Sequence, residues 1–509
     1  MLEESKRSNL LEDMPLKKRV SGALMLAPAC VAIGFASWFG PYLVDDAYIT
    51  FRYAVNFAGG HGLVFNPGES VLGTTTPLFA LILGLAERVG WEAPAAARAI
   101  CVASFGFCVL LVQVLAVRSL GLIAALGVGL CVACHPAMWF SANSGMETCL
   151  SMCAVFGGLL LIQRGAFGWA GAVGGAAFLL RPDGALVALL AIAAALIRKP
   201  RHAYRPTLAA GAVAAPWLIY AFRTYGGVTP HSIQAKQLIH PDTPLHILTT
   251  NFEHLTHGLG MQIVLVAAAA GLAYSVWKER GMLLVGVWMM LYLAGLSSSR
   301  IAANFPWYVT PIHPALALLA ASGVAGLVRG FRRGPSEINR TRVEALRLAA
   351  PGVFLLIAAM CFRGGLLDLW KPDQPSGPRV AEYLHIGEII AERSEPGDVV
   401  LVGEVGAMAY AMPEQTILDS AGINSPAVYE GRRRDRERSL EAGVSNPMGE
   451  GTRSWALELI EKHEPRYVAT SIQFVHGRSL VNDPRIIAKY RRVPVDLANG
   501  AEYLVLERR

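Results

Sequence analysis

Eleven apolar runs, each long enough or nearly long enough to cross a hydrocarbon core of about 30 Å, lie near residues 20–43, 96–117, 120–138, 148–163, 167–180, 184–197, 206–222, 257–277, 281–297, 309–328 and 346–362. Inside lipid every backbone polar group needs a partner within its own segment, so these runs must be helices. Composition agrees: 53 % of the 509 residues are hydrophobic and 16 % charged, against about a quarter charged in ordinary globular chains. With a mean hydropathy of +0.41, a purely soluble enzyme is excluded. The formal charge of +7 does not point to nucleic acid, because the basic residues form small clusters between apolar runs. The cysteines (Cys30, Cys101, Cys108, Cys131, Cys134, Cys149, Cys153 and Cys361) lie in or beside those runs, which argues against a disulfide framework.

Lys17, Lys18 and Arg19 precede the first run and should hold a tail of residues 1–19 in the cytoplasm. The first run lacks a convincing cleavage site and reads as an uncleaved anchor. Pro77–Ala86 is apolar but too short to span. Read as a helix on the outer surface, it leaves Arg118, Arg164, Arg198, Lys199, Arg201, Lys278, Arg280, Arg329, Arg332, Arg333, Arg340 and Arg342 inside, as the positive-inside rule demands. The expected organisation is a polytopic α-helical membrane domain over 20–362, with a first extracytoplasmic loop and surface helix over 44–95. A C-terminal extracytoplasmic α/β domain follows over 363–509, and the whole sits in the inner (cytoplasmic) membrane.

From about 376 the composition turns globular. The pattern predicts an amphipathic helix near Arg379–Arg393, a strand at Val399–Val402, a helix at Trp455–His463 and strands at Tyr467–Ile472 and Glu502–Glu507. Gly403-Glu404-Val405-Gly406 lacks full phosphate-loop spacing and reads as a turn. The mixed charges of Arg432–Arg438 read as a solvated helix face. Cys131-Val132-Ala133-Cys134-His135 matches a haem-attachment pattern but lies inside an apolar run without a second axial ligand, so haem is rejected.

The chemistry should lie directly after the first run, in Asp45-Asp46-Ala47-Tyr48-Ile49-Thr50-Phe51-Arg52-Tyr53 and the long Gly- and Thr-rich loop behind it. If 45–53 is helical, Asp45, Tyr48 and Arg52 share one face, offering a base and a cation together. The bland alternative is that Asp45 or Asp46 caps the helix and Arg52 reaches to lipid headgroups. Other polar groups at the outer ends are Arg181, His231, Lys236, Arg300 and Tyr308, each a phosphate or sugar contact or else an interface marker. Ser144-Gly145-Met146-Glu147 reads either as a capping box or as a source of a sugar-binding carboxylate.

The motifs Asp45–Ala54, Gly60-His61-Gly62-Leu63-Val64-Phe65-Asn66-Pro67-Gly68-Glu69, Thr75-Thr76-Pro77-Leu78, Ser144–Thr148 and Arg181-Pro182-Asp183-Gly184 resemble those of the GT-C glycosyltransferases. The similarity is in particular to the terminal arabinofuranosyltransferases and their bacterial relatives, and extends to Gly403–Gly406 and Leu418-Asp419. The resemblance implies a GT-C-like fold that inverts the sugar carried by a polyprenyl-phosphate donor. It also implies a cell-envelope glycan or glycoprotein acceptor, and a base in the Asp45–Asp46 pair. Asp45 is preferred as base because Arg52 shares its face. Arg52, Lys236, Arg181 and Arg300 are then assigned to the donor phosphate. Tyr48, His61, Asn66, Glu69, Glu147, His231 and Tyr308 are assigned to substrate. No metal is committed, since no ligand spacing stands out, although a divalent cation would help a phosphate leave. The alternatives are a hexose donor, a lipid-linked substrate transporter or flippase, and an inactive scaffold. Transport is disfavoured because no Asp, Glu or Lys lies deep in any proposed span.

Overall fold

The computed structural model describes residues 22–239, 243–256, 259–299, 305–331, 377–441, 454–471, 480, 482–495 and 503–509. Helices occupy ten of the eleven apolar runs: α1 (Gly22–Phe39), followed after an intervening segment by α4 (Ala93–Leu120), the pair α5 (Leu122–Ala133) and α6 (Pro136–Asn143), α7 (Thr148–Gln163), α8 (Phe167–Leu180), α9 (Ala185–Arg198), α10 (Tyr204–Tyr225), α13 (Leu259–Lys278), α14 (Arg280–Ser298) and α16 (Ile312–Phe331). The run near 346–362 lies outside the described residues, as do tail residues 1–19. Five of these helices are individually long and apolar enough to cross a membrane, or six counting α5 and α6 as one span bent by 58°. Pro136 explains the bend, since it cannot donate to the turn before it. The polar connections form α2 (Asp45–Ala58), α3 (Pro77–Arg88), α11 (His231–Ile239), α12 (Pro244–Thr256) and α15 (Pro306–Val309).

The bundle closes through α4 on α5 and α7, α8 on α9 and α10, and α13 on α14 and α16. Arg329, at the end of α16, bonds Glu279 at 2.6 Å, the Tyr274 hydroxyl at 3.0 Å and the Ser119 carbonyl at 3.0 Å. One cation thus ties together the ends of four helices. At the opposite end, α2 and α3 pack on each other and on α4, under the C-terminal domain.

That domain contains α17 (Gly377–Arg393), β1 (Val399–Val402), α18 (Ala407–Tyr410), β2 (Thr416–Asp419), α19 (Pro426–Glu441), α20 (Ser454–His463), β3 (Tyr467–Ser471), α21 (Pro484–Lys489), β4 (Tyr490–Arg492) and β5 (Tyr503–Arg508). The sheet order is β2-β1-β3-β5-β4, with β1 parallel to β2 and β3, and β5 antiparallel to β3 and β4. Strand residues alternate between two cores, as a period of two requires. Val400, Val402, Ile417 and Ala469 join the apolar core that is continuous with the membrane bundle. Leu401, Leu418, Val468 and Leu504 instead pack with Val428, Trp455 and Ile460 of α19 and α20. The expected helices and strands appear within a residue or two, and two short strands, β2 and β4, escaped the pattern.

Candidate active site

A cavity of about 440 Å³ opens where α2, α11, α14 and the 73–76 loop converge under the C-terminal domain. Its polar wall holds Asp46, Glu147, Arg181, Lys236 and Tyr308, all expected from the sequence, together with Thr74, Thr75, Thr76, Asp183, Ser232 and Tyr292. Leu186, Leu189, Leu296 and Ile233 form an apolar wall beside it.

Asp46 Oδ2 accepts a bond from Lys236 Nζ at 3.1 Å, and the ammonium stands 5.1 Å from the centre of the Phe305 ring. Burial works against the Lys236 charge, but Asp46 overrides it and holds the ammonium above its ordinary pKa. Arg181 donates to Glu147 at 3.2 Å and to Asp183 at 3.0 Å, with its guanidinium over the Tyr308 ring. Burial pushes Glu147 up, and Arg181 works against that shift. Along the floor, the hydroxyls of Thr50, Thr76 and Thr74 follow one another at 3.4 and 3.3 Å. The buried Ser232 hydroxyl has no partner among the described residues and is free for a ligand. Gly73 leaves room for the Asn424 side chain, which a Cβ there would overlap.

Several sequence assignments need correction. Val44 is the N-cap of α2, without a side-chain cap bond, so neither aspartate serves as the cap. The two aspartates are placed apart: Asp46 lines the cavity, whereas Asp45 accepts the N–H groups of Gly406 (3.0 Å) and Ala407 (2.7 Å) from the C-terminal domain. Burial pushes Asp45 up to about 7, and Asp46 adds to this, while the two N–H bonds pull the other way. Arg52 is neither at headgroups nor at the cavity. It is 3 % exposed. It donates to the carbonyls of Phe65 (2.7 Å), Met412 (2.8 Å), Gln415 (2.9 Å) and Ala409, and to Asn66 Oδ1.

Asn66 is likewise turned to the C-terminal domain, accepting from Ile417 N–H at 3.0 Å and donating to its carbonyl at 2.9 Å, with Glu69 as a third partner. Tyr48 packs edge-on against Tyr410, and His231 against Tyr429 and the Ile423 carbonyl. His61 is exposed, on a loop tied to α10 by the Tyr225 hydroxyl bonded to the Leu63 carbonyl. Ser144 caps its own turn by accepting from Met146 N–H, and Glu147 pairs with Arg181 instead of completing a capping box. Arg300 lies outside the described residues.

Asp183 and the threonines were within motifs already singled out, and only the direction of their side chains was missing. Tyr292 sits inside an apolar run and carried no signal. Among the described residues no three His, Cys, Asp or Glu side chains are grouped to hold a metal ion.

A helical bundle with its polar cavity at one end, roofed by an α/β domain, defines a polytopic membrane protein of GT-C fold. ArnT of Cupriavidus metallidurans, bound to undecaprenyl phosphate, matches over 97 % of both chains with a TM-score of 0.57 at 13 % identity. Its apo form gives 0.59 at 14 % identity, covering 95 % of this chain and 97 % of that one. The oligosaccharyltransferase of Archaeoglobus fulgidus, tethered to an acceptor peptide, gives 0.55 at 13 % identity, covering 97 % of this chain and 74 % of that one. By sequence, the chain is 29 % identical over 251 aligned residues to a terminal β-(1→2)-arabinofuranosyltransferase of Mycobacterium tuberculosis. That match covers 43 % of this chain and only 38 % of the relative's length. Residues 376–505 match a family described as a domain of unknown function, DUF8728.

Proposed function

We propose that this chain is an inverting glycosyltransferase that moves a sugar, arabinofuranose in preference to a hexose, from a polyprenyl-phosphate donor to a hydroxyl of a cell-envelope glycan or glycoprotein. The observation that carries the reading is the Asp46–Lys236 ion pair in a cavity with one polar and one apolar wall. The named relatives support the reaction class, and the arabinofuranosyltransferase supports the sugar.

The donor's isoprenoid lies along Leu186, Leu189 and Leu296, and its phosphate meets Lys236, with Arg181 and the threonine hydroxyls close by. When the phosphate takes over the Lys236 ammonium, Asp46 is released as base. The acceptor oxygen attacks the anomeric carbon, its proton passes to Asp46, and the C–O bond to phosphate breaks with its electron pair on the leaving phosphate. Positive charge accumulates on the sugar as in glycoside cleavage. Lys236 stabilises the developing phosphate charge. One carboxylate suffices for a single displacement with inversion. In this reading eleven spans fill residues 20–362, the N-terminus is cytoplasmic, and the cavity and C-terminal domain face outward from the inner membrane.

The test is sugar transfer by purified protein in nanodiscs, with decaprenyl-phosphoryl-arabinose and a hexose analogue offered against a panel of acceptors. Asp46→Asn should cut transfer by about 10²- to 10⁴-fold, the span of general-base contributions, with the fold intact. Undiminished transfer in that variant overturns the site, and preferential use of the hexose overturns the sugar.

A further inference from the structure

The loop after β1, Gly403-Glu404-Val405-Gly406, read from sequence as a plain turn, is the part of the C-terminal domain pressed against α2. Gly406 and Ala407 donate their N–H groups to the Asp45 carboxylate. A Cβ on Gly406 would overlap the Asp45 backbone carbonyl, so the two main chains approach as closely as glycine permits. That approach carries the Glu404 carboxyl into electrostatic reach of both Asp45 and Asp46. The groups facing it are Asp45 and Asp46 from α2, and Tyr383 and Arg379 from α17. The Tyr383 hydroxyl donates to Glu404 Oε1 at 3.3 Å, and the Tyr503 ring of β5 stands 5.5 Å from the Tyr383 ring. Burial is the main influence and Asp45 the next; together they push Glu404 up to about 8, against the pull of Tyr383 and Arg379. The carboxyl is therefore mostly neutral at pH 7. Ionising it would add a negative charge beside the Asp45 and Asp46 carboxyl groups, with Arg379 the one cation among the groups named.

We propose that Glu404 is a positioning residue for the cavity: carried in on the C-terminal domain, it lets that domain seat on α2, beside Asp45 and Asp46, only while its carboxyl holds a proton. Loss of that proton to bulk water sets like charges against each other across the α2 contact. The bonds from Gly406 and Ala407 then loosen, and Asp46 loses the roof that fixes its place. The effect on turnover rests on the transferase reading; the seating of the domain does not.

The experiment measures hydrogen exchange of residues 403–412 and of α2 in the full chain in nanodiscs from pH 6 to pH 9, corrected for intrinsic rates, alongside sugar transfer. In the wild type, protection of both segments should fall at least tenfold between pH 7 and pH 9, with transfer falling over the same range. Glu404→Gln, which keeps the shape of the neutral acid, should hold protection and transfer level across that range. Tyr383→Phe removes a bond that favours the ionised carboxylate and should move the midpoint to higher pH. A wild-type profile flat between pH 7 and pH 9 overturns the proposal, as does Glu404→Gln following the wild-type fall. So does a Tyr383→Phe midpoint that stays put or moves down, which decides the matter even if Glu404→Gln fails to fold. Absence of transfer with any donor counts against the transferase reading, while the exchange profile still decides the role of Glu404.

Discussion

Replacing Arg52 with leucine separates a structural anchor from a substrate contact. The guanidinium sends its N–H groups to Phe65, Asn66, Ala409, Met412 and Gln415, and three of those acceptors are main-chain carbonyls of the C-terminal domain. A hydrogen bond to a charged group contributes about 1.5–3 kcal/mol, so the three bonds to that domain total roughly 5–9 kcal/mol gross. Part of this is recovered, because leucine no longer buries a charge whose desolvation costs several kcal/mol. What remains is the cost of leaving three buried carbonyls without a donor, about 1–3 kcal/mol each, so the net loss is at least about 3 kcal/mol. At about 1.4 kcal/mol per factor of ten, the contact between α2 and residues 409–415 should open at least about 100-fold more often. Hydrogen exchange of that segment in nanodiscs reads the change directly, with Arg52→Lys as a partial rescue that keeps the charge but not the fork of donors. Exchange within about threefold of wild type, roughly 0.7 kcal/mol by the same conversion, would refute the reasoning. If donor affinity fell instead while exchange stayed constant, Arg52 would belong to the phosphate site after all.

Lys236→Met should raise the donor KM at least about tenfold, the effect of losing one charge-assisted contact of 1.5 kcal/mol or more; steady-state transfer kinetics check this, with Lys236→Arg expected to retain part of the affinity. Arg181→Met leaves Glu147 and Asp183 without their cation and should destabilise the fold by about 3–5 kcal/mol, whereas Arg433→Ala, in an exposed pair with Glu430 on α19, should stay within about 1 kcal/mol; thermal unfolding in detergent separates the two. Gly406→Ala should release the C-terminal domain to limited proteolysis, because its Cβ and the Asp45 carbonyl cannot share one place. Asp45 and Glu404 both have folded pKa values raised above their unfolded ones, to about 7 and about 8. Their contributions to stability are therefore complete below about pH 4 and are lost as pH rises towards 7 and 8. Unfolding midpoints should accordingly fall between pH 5 and pH 8, and a midpoint that rises over that range contradicts the assignment.

The sequence singled out several of the segments that line the cavity because each carries a charge or hydroxyl run where an apolar run ends, and such groups are costly to desolvate. It could not say which way each side chain turned. Asp45 and Asp46 are neighbours on one helix, so their directions differ by about 100°. One faces the cavity and Lys236; the other faces Gly406, more than 350 residues away in sequence. Arg52 was assigned to phosphate because a lipid-phosphate donor, implied by resemblance, needs a cation and Arg52 shares a helix face with Asp45. Its actual partners are backbone carbonyls, which every residue carries and no motif can reveal.

The length of the apolar runs therefore determined the helical bundle, composition the change to an α/β domain near residue 376, and hydrophobic pattern most of that domain's helices and strands, since burial in lipid or against a sheet leaves its mark on the chain itself. Tertiary structure alone decided that α2 is shared between two tasks, with one face lining the cavity and the other holding the C-terminal domain. Both tasks use buried charges whose partners come from distant parts of the chain, and that pairing is set by three-dimensional packing, which leaves no spacing in the sequence to read.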